Sequence, residues 1–118
     1  MGKRQRKRKR GDGEPSATTD YPDSEGNVLT LRDELSEGTL RQLEKLDATP
    51  AASAEDRWQR RVEFLFERLA ARWEIAGLPL DSQKELLGRY RMASAEERRA
   101  VLDALGSHLG ERYPDVQL

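Results

Sequence analysis

Residues 53–79, SAEDRWQRRVEFLFERLAARWEIAGLP, carry the pattern on which the fold reading turns. Ser53 precedes the run and Asp56 follows three positions later, a hydroxyl cap and a carboxylate that satisfy the exposed N–H groups of a helix start. Val62, Leu65, Phe66, Leu69, Trp73 and Ala76 then follow Trp58 at +4, +7, +8, +11, +15 and +18, which on a helix gathers all seven into one apolar stripe. Gly77 suits a helix C-terminus, and Pro79 blocks continuation. The spacing predicts a helix over 54–76, with both tryptophans facing the core. Phe64, Ala71 and Ile75 fall on the opposite side of that helix. A second apolar face implies a protein contact, with either the leucine segment upstream in cis or a second copy in trans.

Downstream, Asp81 is placed to cap a helix over 82–91 with Leu86, Leu87 and Tyr90 inward. Ser94-Ala95-Glu96-Glu97 is a full capping-box sequence that starts a helix over 95–109, where Val101, Leu102, Leu105 and Leu109 share one side. Gly110 ends it and leaves 111–118 as a tail. Upstream, Pro50 marks a linker over 48–53. Thr30-Leu31-Arg32-Asp33 resembles a short capping box, and Leu31, Leu35, Leu40, Leu43 and Leu46 follow with a break at Ser36 and Gly38. Residues 28–47 therefore read as a short broken helical segment, too short to stand alone in water. No alternating strand pattern is assigned. The expected fold class is all-α: a small three-to-four-helix bundle, its helical domain over 54–110.

Residues 1–27 are rich in Gly, Pro, Ser and charge, and read as a disordered arm. Its charge is split in two. Residues 1–10 hold seven of the chain's 21 basic groups and none of its 22 acidic ones. Residues 11–26 hold only acids: Asp12, Glu14, Asp20, Asp23 and Glu25. The formal net charge of −1 thus hides a polycation joined to a body with 14 basic against 22 acidic groups. Lys3, Arg4, Arg6, Lys7, Arg8, Lys9 and Arg10 form the one segment suited to a defined ligand, the phosphates of RNA or DNA. It has no aromatic residue for base stacking.

The remaining composition excludes more than it suggests. With 118 residues the chain holds one small domain with tails, and with no Cys it has no disulfide, thiolate nucleophile or cysteine zinc site. No apolar run approaches the ~18 residues of a membrane span. The basic start lacks a following apolar stretch, which argues against a secretory signal and for a cytoplasmic protein. A membrane-surface role lacks an apolar anchor beside the arm.

His108 is the single imidazole, expected in the last turn of a helix as a solvent-facing or capping residue. Glu55/Asp56 and Glu96/Glu97 are accounted for by helix starts. Residues 21–26 fail as a calcium loop, since aligning Gly26 to the loop glycine puts Tyr21 at the first ligand position and Arg32 at the closing glutamate. No phosphate-binding glycine motif is present. The expectation is a non-enzymatic binding protein without metal or cofactor. It docks through its helical body and is tethered to RNA, DNA or a ribonucleoprotein by the basic arm. The competing expectation is an adaptor or homodimer working through Phe64 and Ile75 with no nucleic-acid role. A helix-turn-helix over 82–109 is disfavoured because Glu96 and Glu97 would lead the recognition helix toward phosphate.

Overall fold

The expected 54–76 helix stops at Leu69. In the computed structural model, which describes residues 17–116 and 118, the helix passes without a loop into a β-strand. Ala70 takes extended backbone angles while its N–H still bonds to Phe66 O. Ala70–Ile75 then pairs with Leu78–Leu80 across a two-residue turn, Ala76-Gly77. Both turn residues have positive φ, 53° and 79°, the mirror-image turn whose twist matches a β-hairpin.

The chain is therefore not an all-α bundle but a mixed α/β fold, with eight elements among the described residues. They are β1 (Thr18–Pro22), β2 (Val28–Arg32), α1 (Glu37–Ala48), α2 (Ala54–Leu69), β3 (Ala70–Ile75), β4 (Leu78–Leu80), α3 (Gln83–Arg91) and α4 (Ala95–Arg112). The strands form one antiparallel sheet in the order β1-β2-β3-β4. α1 and α2 are inserted between its central strands, and α3 and α4 follow it.

Two expectations near the N-terminus are overturned with the all-α reading. Thr30 caps no helix. It lies in β2, where Leu29 and Leu31 turn inward and are buried while Thr30 faces out and donates to Asp20 Oδ1 at 2.7 Å. Within the segment expected to be disordered, residues 18–22 pair along β2, from Thr18 opposite Arg32 to Pro22 opposite Val28. The intervening Asp23–Asn27 turn is closed by Asp23 Oδ1, which accepts from the N–H groups of Glu25 and Asn27, and by Gly26 at φ 84°. Asn27, itself buried, also joins the two hairpins: its Oδ1 accepts from Ala76 N–H at 3.1 Å. Residues 1–16, including the basic arm, lie outside the described residues.

The other helices depart less from expectation: a helix opens at Ser36 where a break is expected, Ser82 caps α3 in place of Asp81, and α4 runs past Gly110 to Arg112. α1 starts at Ser36, α2 at Ser53, α3 at Ser82 and α4 at Ser94, each hydroxyl accepting from the backbone three residues on. Ser94 and Glu97 form the reciprocal capping box. Val62, Leu65, Phe66 and Leu69 of α2 pack with Leu29, Leu31, Trp73, Leu86, Tyr90, Leu105 and Leu109 in one core. Phe66 stacks on Tyr90 (5.0 Å between centroids) and meets Trp73 edge-on (5.8 Å). Trp58 does not join them. It is 42% exposed, so only Trp73 of the two tryptophans is a core residue. The outer face of the sheet is polar, with Asp20, Thr30, Arg72 and Glu74 hydrogen-bonded in pairs, as befits an antiparallel sheet covered on one side. Among the described residues no helix is long and apolar enough to cross a membrane.

Candidate binding groove

α4 meets the first hairpin along its C-terminal half and diverges from it along its N-terminal half. The closed end is built on His108. Expected at the surface, His108 is fully buried: seven residues after Val101 and three after Leu105, it shares their inward face. Its Nε2 lies 2.7 Å from Arg32 O and its Nδ1 2.9 Å from Tyr21 Oη. A carbonyl only accepts, so the tautomer that satisfies both nitrogens donates from Nε2–H to Arg32 O and accepts a hydrogen bond from the Tyr21 hydroxyl at Nδ1. The Tyr21 ring stands edge-on to the imidazole. Burial pushes the Tyr21 hydroxyl above its ordinary pKa, against the lowering influence of Arg112, which keeps it a donor.

One turn further on, Arg112 Nε lies 3.2 Å from Asp33 Oδ1, and Thr19 Oγ1 donates to the same oxygen at 2.6 Å. Asp33, which the sequence offered as a capping carboxylate, instead fastens α4 to the strand pair. Tyr113 adds a third tie by accepting from Leu35 N–H at 2.8 Å.

Toward its N-terminus α4 leaves an open groove of about 620 Å³ between residues 95–107 and the turn 21–27. That volume lies within the ~300–1,000 Å³ range of ligand pockets. Leu29, Trp73, Val101 and Ala104 form an apolar floor, and Asp23, Glu25, Glu96, Glu97 and Asp103 stand around it. Arg99 is the single basic residue lining it among the described residues.

The carboxylates divide by function. Asp23 closes the hairpin turn through Glu25 N–H and Asn27, and Glu97 holds Arg89 at 2.8 Å while completing the α4 cap. The Arg89 hydrogen bond, helped by the Ser94 backbone N–H, keeps the Glu97 carboxyl below the usual carboxylate range. Arg89 in turn lies over Trp73, 5.6 Å from the ring centroid, tying the rim to the floor. Glu25, Glu96 and Asp103 have no side-chain hydrogen-bond or ion-pair partner among the described residues, and all three are exposed.

The residues singled out by sequence lie elsewhere. Lys3, Arg4, Arg6, Lys7, Arg8, Lys9 and Arg10 are outside the described residues. Phe64, Ala71 and Ile75 do not share a helix face, because Phe64 belongs to α2 and the other two to β3. All three are half-buried. Phe64 is covered by the Arg68 guanidinium at 5.0 Å and borders a shallow depression of about 250 Å³ with Leu46 and Leu87. Ala71 sits where the β2–β3 register shifts, and Ile75 pairs with Leu78 beside the hairpin turn.

The groove itself escaped the sequence reading, since its walls are about 75 residues apart along the chain. No family model, curated protein or solved structure compared with this chain matches it.

Proposed function

We propose that the protein is a non-enzymatic binding protein that engages RNA or DNA through the phosphate-seeking arm Lys3–Arg10 and presents, in its folded body, an anionic docking groove. The observation that carries the reading is the segregation of charge: seven cations and no acid within residues 1–10, against an excess of eight negative charges in the remainder. A body of that sign repels nucleic acid, so attraction must come from the arm. Its lack of aromatic residues favours backbone contact over base reading.

The test is a salt titration of binding to a labelled RNA or DNA oligonucleotide. It uses the full chain and a full-chain variant with Lys3, Arg4, Arg6, Lys7, Arg8, Lys9 and Arg10 changed to Gln. Release of counterions at five or more phosphates gives a slope of log K against log salt of about −4 or steeper. The variant loses most of that slope. A flat wild-type slope, or equal slopes for the two chains, refutes the nucleic-acid reading.

A further inference from the structure

We propose that the groove between the first hairpin and α4 is the docking site of the chain's own basic segment, Lys3–Arg10, in cis, so that groove and nucleic-acid phosphate compete for the same cations. The inference takes the groove and the arm from the functional reading above but does not require that nucleic acid be the arm's other ligand.

Charge and shape both favour this occupant. Among the described residues Glu25, Glu96 and Asp103 surround an apolar floor without side-chain partners, and Arg99 is the one basic residue of the lining. Lys and Arg suit such a surface because their aliphatic stems lie along apolar side chains while their heads reach carboxylates. Tyr21 and Trp73 add ring faces or edges to that lining, and Arg89 over Trp73 shows a guanidinium already using one of them.

The chain length fits as well. β1 runs from Thr18 to Pro22, so its start lies about 13 Å from the groove mouth at a rise of ~3.3 Å per residue. The seven residues back from Ala17 to Arg10 span up to about 24 Å, enough to double back along β1. Gly11 and Gly13 lie within that connection and ease the reversal. Lys3–Arg10, extended, then covers about 24 Å, against about 18 Å of α4 from Ala95 to Ser107. Tethering over so short a distance gives an effective concentration in the millimolar range, so weak individual contacts suffice.

The deciding experiment is amide NMR of the full chain without nucleic acid, comparing wild type with the variant whose seven arm cations are Gln. Resonances of residues 21–27 and 95–107 are expected to differ between the two at low salt. The differences should vanish near 1 M salt, where the Debye length is ~3 Å, and should not depend on protein concentration. Unchanged groove resonances overturn the proposal. So do differences that grow with concentration, which put the arm of a second copy in the groove.

A second arm of the test uses Glu25→Gln/Glu96→Gln/Asp103→Asn, positions without side-chain bonds to lose among the described residues. With the groove neutralised, binding of the labelled oligonucleotide is expected to tighten about three- to tenfold. A charge-matched control, Glu44→Gln/Glu55→Gln/Glu85→Gln, changes it far less. Equal tightening by both triple variants reduces the effect to overall charge and overturns competition. If the chain binds no oligonucleotide at all, the functional reading fails while the NMR comparison still decides the clasp.

Discussion

Removing the Tyr21 hydroxyl isolates one hydrogen bond at the closed end of the groove. Tyr21→Phe keeps the ring, and with it the edge-on contact to His108 at 5.6 Å, but leaves Nδ1 of a fully buried imidazole without its donor. A neutral hydrogen bond contributes about 0.5–1.5 kcal/mol net, and stranding a buried acceptor costs about 1–3 kcal/mol. Tyr21 is itself half-buried, so water can partly replace the lost donor, and the expected loss is about 1–2 kcal/mol. For a body of some 100 residues that lowers Tm by roughly 5–10 °C.

His108→Leu fills similar space but leaves both Arg32 O and Tyr21 Oη unpaired, and should cost more. In the double variant the Tyr21–His108 pair is gone from both sides, so the double should be less destabilised than the sum by about 1 kcal/mol or more. Urea unfolding followed by far-ultraviolet circular dichroism, with the m-value checked for constancy, supplies the four free energies of the cycle. Additivity within about 0.3 kcal/mol would mean that Tyr21 and His108 do not interact, and the account of how α4 is clamped to β1 would be wrong.

Three further outcomes follow from the same structure. Because Arg89 and the α4 cap hold the Glu97 carboxyl low, its stabilising contribution is present above the unfolded-state value near 4.3 and is lost as pH falls through the lower folded value. Glu97→Gln should therefore lower the urea midpoint at pH 7 and flatten its decline between about pH 5 and 3, whereas an unchanged acid limb would exclude that linkage. Ala76 holds φ 53° in a turn that favours Asn or Gly. Ala76→Asn should raise stability by about 0.5–1 kcal/mol in thermal unfolding, and destabilisation would contradict the turn geometry. Trp73→Ala should cost about 3–5 kcal/mol, as for a large buried aromatic, while Trp58→Ala should cost well under 1 kcal/mol. Comparable losses for the two in denaturant titrations would restore the single long helix that places both in the core.

That last contrast shows where sequence reasoning divides from structure. The starts of α2 and α4 are legible because they are written locally, Ser53 and Ser94 each accepting from the backbone three residues later, whereas Ser36 reads as a break and Asp81 reads as the cap that Ser82 supplies. The strands were hidden by coincidence of period. Trp73 points inward whether counted by the helical stripe from Leu69 or by the alternation of β3, and the turn that would have exposed the hairpin is Ala-Gly instead of the commoner Asn-Gly. In β2 the alternation of Leu29 and Leu31 was masked by Thr30 and Asp33, spaced like a cap. Asp33 finds its partners only in tertiary structure, at Thr19 and Arg112. The burial of His108 did have a local signal, its spacing from Val101 and Leu105. The groove had none, because its two walls approach only after the sheet has formed.

Not all of the charge around the groove is engaged in the fold among the described residues. Asp23 and Glu97 are accounted for by the turn and cap they complete, and Glu96 gains something from the helix N-terminus it occupies. Glu25 and Asp103 gain nothing comparable. Gathered with the other acids around one groove, they give it a negative potential that a cation would neutralise. A surface selected for stability alone would intersperse Lys or Arg there, as the outer sheet face does by pairing Arg72 with Glu74. Here the cations that would balance the rim stand instead in residues 3–10, joined to β1 by a connector rich in glycine. Placing attraction on a tether makes it interruptible. On the docking proposed above, a polyanion that engages the arm would remove the counter-charge and free the groove in the same event, so that two binding surfaces would answer to one set of cations.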